Sequence, residues 1–280
     1  VEGLSFPRRG RAAVLGAACT LVLGAAPARA WDVNALVLEA AARQREGEVG
    51  AGRIAFERIE VETELDAAGR RQRPERRRYS VEMDGRGLVG RELLEVDGRA
   101  ATEDEKEKSR REDEKRRRAA VEANGVTSDA EELMSGRVPL LDLLHRLQFQ
   151  LVGEEVLDGR PNHVIDFWPK PGLVSKTIRD RVLNSFAGKT WIDVAETQVR
   201  KIDGHLTTPV KVLGGALLDL KGVRLVYESR EVLPGSWAPC REEIGITATA
   251  GFVIGVNREI RFEFSNYRSA RPGATLRAAR

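Results

Sequence analysis

The sequence predicts a mainly β, α+β fold: one large antiparallel sheet that curls, with a few helices over its concave face. Three observations carry this. Ten segments show the two-residue alternation of strands, many are joined by short turns, and no helix recurs between them as parallel βαβ units require. A sheet of that width does not stay flat. The length of 280 residues and a 41% hydrophobic content suffice for a continuous core, and the 32% of charged residues excludes a bundle of membrane spans.

Residues 7–30 combine a basic start, an apolar run from Ala12 to Ala26, and Ala28-Arg29-Ala30. This is the pattern of an export signal cleaved after Ala30. The pair Arg8-Arg9 leaves general secretion and twin-arginine export both open. Cys19 is not expected to carry a lipid anchor, because Gly16 stands where a branched aliphatic residue belongs. Residues 31–280 then form a single domain with a charged helical insertion at about 102–146.

Asp32 is placed to cap a first amphipathic helix bearing Val33, Leu36, Val37, Ala40 and Ala41, with Gly47 as its stop. A long strand follows. Ile54 and Phe56 share one face, and Ile59, Val61, Thr63 and Leu65 resume the alternation shifted by one residue, as a β-bulge near Glu57-Arg58 would produce. Tyr79 to Met83 and Leu88 to Val96 complete an antiparallel meander. Between Glu103 and Arg118 every residue except Ser109 is charged, and opposite charges recur four apart. The expectation is a projecting solvated helix with no buried face.

A leucine-rich helix is expected from Asp129 to Leu147, with Leu140, Leu141, Leu143, Leu144 and Leu147 on a broad apolar stripe. Strands return at Phe149–Leu157 and Asn162–Trp168, a short helix fits Lys176 to Phe186, and five further strands run from Gly188 to Tyr267. Along the last of these, Ile260, Phe262 and Phe264 point together, opposed by Glu259, Arg261 and Glu263. The concave face is therefore expected to be apolar, filled by the first and the leucine-rich helices acting as a permanent plug or a displaceable lid.

The net charge of +3 resides in the first thirty residues, where Arg8, Arg9, Arg11 and Arg29 face only Glu2. The remainder is balanced, which argues against nucleic acid as a partner. Removal of the signal leaves Cys240 without a disulfide partner. His145, His163 and His205 lack metal-ligand spacing, Gly85, Gly87 and Gly90 precede no helix, and no Gly-x-Ser-x-Gly elbow is present. No catalytic residue, metal or cofactor is expected, and the chain is read as not an enzyme.

The order of these features, with the stretches VDGRA, LVGEEVLDGRPNHVIDFWPKPG, GKTWIDVAETQVRKIDG and EIRFEFSNYR, resembles the LolA/LolB-like superfamily of exported bacterial proteins. It is most similar to the outer-membrane lipoprotein-sorting-like members, over Trp31 to about Arg268. The resemblance is carried by Gly159-Arg160-Pro161, Trp191-Ile192-Asp193, Trp237-Ala238-Pro239 and Phe264-Ser265-Asn266-Tyr267. It implies an unclosed, half β-barrel with helices over its mouth. It also implies a periplasmic carrier that meets the membrane surface only transiently and holds a lipid or lipoprotein acyl chain. A related branch senses envelope stress by binding regulators, which leaves a plugged module with an envelope protein partner as the alternative. The residues expected to line the hydrophobic site are Val33, Leu36, Val37, Leu140 and Leu144 on helices, and Ile54, Phe56, Trp168, Trp191, Ile260, Phe262 and Phe264 on strands.

Overall fold

The computed structural model describes residues 32–50, 53–66, 70–84, 87–122, 144–212, 218–250 and 254–269. The expected export signal with Cys19 and Ala30, and the leucine-rich segment through Leu143 including Leu140, lie outside the described residues.

Twelve strands form one antiparallel sheet: β1 Ile54–Glu64, β2 Glu75–Asp84, β3 Gly87–Val96, β4 Arg99–Ala100, β5 Leu147–Leu157, β6 Arg160–Pro169, β7 Phe186–Asp193, β8 Val199–Leu206, β9 Val210–Val212, β10 Leu218–Leu233, β11 Ser236–Ala250 and β12 Ile254–Ser269. Their order is β4-β3-β2-β1-β12-β11-β10-β8-β7-β6-β5, with β9 paired to β10. Two meanders therefore meet where β12 returns beside β1, and the sheet does not close into a barrel. The ten expected strands are all present; β4 and β9 are too short to show alternation.

Turn chemistry fixes the hairpins. Asp97-Gly98 and Asp158-Gly159 both adopt positive φ at the two central positions, with values of 49° and 82°, and 48° and 77°. These are the I′-like turns whose twist matches paired strands. Register shifts between β2 and β3, β5 and β6, β7 and β8, β10 and β11, and β1 and β12 bend the strands and promote the curl.

The β1 bulge differs from its expected form. Against β2 the register runs unbroken from Ile54↔Met83 to Glu62↔Glu75. The irregularity lies on the β12 side, between Ala55↔Arg268 and Glu57↔Ser265, where Asn266, at φ 55°, and Tyr267 stand against Phe56 alone. No phase shift occurs within β1. Ile54 and Phe56 share a face with Arg58, Glu60 and Glu62, while Ile59, Val61 and Thr63 point to the opposite side.

Among the described residues three helices accompany the sheet: α1 Val33–Gly50, α2 Glu103–Glu122 and α3 Ile178–Leu183. Asp32 caps α1 as expected, its Oδ1 accepting from the amides of Asn34 at 3.0 Å and Ala35 at 3.2 Å. The helix runs through Gly47 to Gly50. Thr102 and Glu105 form a capping box on α2, with Thr102 N donating to Glu105 Oε2 at 2.9 Å and Glu105 N to Thr102 Oγ1 at 3.3 Å. Thr177 and Asp180 do the same for α3.

Candidate functional site: the inner face of the sheet

Paired residues on antiparallel neighbours point to the same side, so the register traces one face across the sheet. From Leu151 it passes through Ile165, Thr190, Ile202, Tyr227, Glu242, Phe262, Glu60 and Arg77 to Val96. All three helices contact this inner face.

At the β5–β8 end, α1 inserts Leu36, Val37 and Ala40 against Ile165, Ile192 and Val199, with Val33, Leu144, Phe149, Leu151, Ile202 and Tyr227 around them. Two polar ties orient the helix. Arg43 donates to the carbonyl of Glu196 at 3.0 Å, and Gln44 Nε2 to the Tyr227 hydroxyl at 3.4 Å. Near β9–β11, Val182 of α3 packs on Val210, Leu220, Ile244, Ile246 and Ala248. Between these helices the apolar surface is continuous: Ile202 joins Leu206 and Leu225, and Leu225 and Phe262 share one cluster. Ile202, Leu206, Val223, Leu225, Ile260 and Phe262 are half-buried.

The β1–β3 end is different. Phe56, Tyr79, Val81, Leu93, Ala101 and Phe264 form a core there, but charge stands beside it. Arg58 Nη2 donates to Glu60 Oε2 at 3.3 Å, and Arg91 Nη1 lies 4.0 Å from the same oxygen. The guanidiniums of Arg58 and Arg91 lie 5.3 and 4.4 Å from the Tyr79 ring centre, and Arg58 is 5.2 Å from that of Phe262. Burial pushes the Arg58 pKa below the ordinary guanidinium value, although Glu60 opposes the shift. Burial, aided by the Glu60 charge, pushes the Tyr79 phenol up.

The charged helix is not solvated all round. Asp113 of α2 pairs with Arg91 of β3, with Nε to Oδ2 at 3.0 Å, and both side chains are largely buried. Ser109, Glu112 and Asp113 form part of its covered side, while Lys108, Arg110 and Arg111 remain exposed. A recess of about 370 Å³ runs along its Asp104, Lys108, Arg111 and Lys115 stripe.

Of the residues expected to line the hydrophobic site, Val33, Leu36, Val37 and Leu144 gather at the β5–β8 end. Phe56, Phe262 and Phe264 gather beside Tyr79, and Ile54 and Ile260 share their face by register with Met83 and Ile244. Trp168 and Trp191 do not join them. Trp191 pairs with Val164 and Lys201 on the outer face, donates to Glu155 at 2.8 Å and stacks under Lys201. Trp168, four residues beyond Val164 on β6, shares that outer side. Sequence reasoning missed Arg58 and Arg91. The unbroken even-numbered series through Phe56, Arg58 and Glu60 was the available signal.

The four motif pieces act as structural ties. Arg160 binds Asp193 through Nε–Oδ2 at 2.6 Å and Nη2–Oδ1 at 3.1 Å, and Arg160 and Arg200 each lie 5.4 Å from the Trp237 ring. Tyr267 donates to the carbonyl of Pro239 at 2.6 Å. His163 is buried beside Glu154, while His145 and His205 are exposed. Among the described residues no group of His, Cys, Asp and Glu is arranged to hold a metal, and no helix is long and apolar enough to cross a membrane.

No protein-family model and no curated protein matches the chain. Among solved structures it is similar to a LolA superfamily protein from Nitrosomonas europaea, at 10% identity and a TM-score of 0.33, over 84% of this chain and 94% of that one. It is similar to an outer membrane lipoprotein-sorting protein domain from Vibrio parahaemolyticus, at 12% identity and a TM-score of 0.36, over 85% and 93%. The MucA/MucB complex of Pseudomonas aeruginosa matches at 12% identity and a TM-score of 0.24, over 86% and 100%. At these values the functional reading has to come from the residues themselves.

Proposed function

We propose that the chain is an exported binding protein that holds the acyl chain of a lipid or lipoprotein against the inner face of its open sheet, and that it carries out no covalent chemistry. One observation carries the reading: Ile202, Leu206, Leu225 and Phe262 form a continuous apolar strip that stays half-buried between α1 and α3. A strip of that kind in a folded protein is where an apolar ligand finds cover.

Exchange with α1 is energetically feasible. Fully burying Leu36 and Val37 contributes about 3–6 kcal/mol together, and each acyl CH₂ about 0.8 kcal/mol, so a segment of about four to eight methylenes matches them. A guest that enters along the strip can therefore displace the Leu36–Val37 contact with Ile165 and Ile192. The test is uptake of cis-parinaric acid by Ile202→Arg and Leu225→Arg variants whose circular dichroism is unchanged. Loss of uptake is expected in both, and wild-type uptake in both would contradict the reading.

Among the described residues β5 forms one edge of the sheet, which favours a second reading as an envelope interaction module. Val152 and Val156 are 54% and 70% exposed there, on an edge strand able to pair with an added strand. Partner capture that survives Leu225→Arg but is lost on Val156→Pro would support that module instead.

A further inference from the structure

The proposed acyl-chain reading says nothing about the polar end of the guest, but the inner face contains a cation with too few partners. Arg58 carries five N–H donors, yet among the described residues it makes one hydrogen bond, the 3.3 Å contact to Glu60, and its buried Nε has no acceptor. Arg91, the other guanidinium over the Tyr79 ring, is better served, by Asp113. The more exposed Arg78 and Arg258 also have orphaned Nε atoms, but Arg78 has both Glu57 and Glu95, and Arg258 has Glu62 at 2.9 Å. The Arg58 side chain is 21% exposed, and a largely buried cation with one long contact gains from an acceptor that completes it.

Its position fits that acceptor to the guest. Arg58 lies over Phe262 and Tyr79, at the boundary where the apolar strip ends and the charged β1–β3 region begins. An acyl chain lying along Leu225 and Phe262 brings its terminal polar group to this boundary. Glu60 and the inward-facing Glu242 offset part of the positive charge, but the Glu60 contact is long, so a carboxylate or phosphate that bridges the two Nη groups competes well with it. We infer that the guest is an anionic amphiphile and that Arg58 holds its carboxylate or phosphate headgroup while the tail occupies the apolar strip. This assignment rests on the acyl-guest reading and narrows it to one chemical class.

The experiment compares dansyl-undecanoic acid with its methyl ester on the full chain, in the wild type, Arg58→Gln and Arg58→Lys. The wild type should bind the acid about 10- to 100-fold more tightly, the range of one charge-assisted hydrogen-bonded pair. Arg58→Gln should abolish that preference, read as the ratio of acid to ester affinity within each variant, and Arg58→Lys should restore part of it. Equal binding of acid and ester by the wild type overturns the assignment without recourse to a variant, as does a preference that survives Arg58→Gln. If the ester also fails to bind, the acyl-guest reading itself falls. Displacement of the ester by lysophosphatidic acid rather than by a fatty acid of equal chain length identifies phosphate as the preferred headgroup; the reverse order identifies carboxylate.

Discussion

Arg91 of β3 and Asp113 of α2 form the buried ion pair that holds a helix made almost wholly of charge against the inner face of the sheet. The pair fixes the Arg91 guanidinium over the Tyr79 ring and 4.0 Å from Glu60, so α2 belongs to the wall of the candidate site. Its exposed charges pair along the helix instead, as Arg110 and Arg111 do with Glu107.

Asp113→Ala leaves Arg91 buried with only the distant Glu60, and removal of one partner from such a pair costs about 3 kcal/mol. Amide hydrogen exchange should show α2 losing protection while β10 and β11 keep theirs. Glu107→Ala, which removes only exposed pairs, should leave the exchange pattern unchanged.

The start of α2 should loosen in acid. Glu105 titrates at about 2, held down first by Arg99 and then by the Thr102 amide, against an ordinary value of 4.5. Its folded pKa is depressed, so its contribution is present above pH 4.5 and is lost as the pH falls toward 2. The Thr102 amide resonance should follow this titration, and in Arg99→Gln the midpoint should move upward.

Gly188 and Gly204 let β7 and β8 approach closely. A Cβ on Gly188 would lie 2.1 Å from the Asp203 carbonyl oxygen and 2.7 Å from Gly204 Cα. Gly188→Ala should therefore cost about 3 kcal/mol in urea unfolding, the upper end for overpacking. Gly153→Ala meets nothing within 4 Å and should change stability by about 0.5 kcal/mol or less.

Asp193 is buried and accepts from Arg160 and from the amides of Ala195 and Glu196. Asp193→Ala orphans all of these donors and should cost about 3 kcal/mol, measured as a shift of the urea midpoint at constant slope. Burial alone would raise its pKa, but Arg160 and the two amides outweigh it and hold the carboxyl low. Its contribution is consequently lost only in acid, below the ordinary aspartate value of 3.8.

Local signals made most of the fold legible. Asp32 caps α1, and the Asp-Gly pairs at 97–98 and 158–159 turn hairpins because each locally dictates backbone geometry. The bulge beside β1 was detectable, but an alternation pattern cannot tell which of two paired strands carries the extra residue, and here Asn266 and Tyr267 of β12 stand against Phe56 alone. The covered side of α2 was hidden because Asp113 is one acid among many and its partner Arg91 lies on another strand. The inner face of β1 was misassigned for a related reason. From Arg58 to Glu62 its odd positions are apolar and its even positions charged, yet the unbroken pairing of Phe56 with Val81 and Arg58 with Tyr79 turns the charged series inward. Trp191, whose indole reaches Glu155 on the outer face, shows that residue type alone does not choose the side of a strand.

Native mass spectrometry of the protein after mild purification tests the central claim most directly. A one-to-one adduct with the mass of an acyl lipid, lost in Leu225→Arg, is the predicted result. A bare polypeptide mass, together with no uptake of added fatty acid by the wild type, would contradict the account.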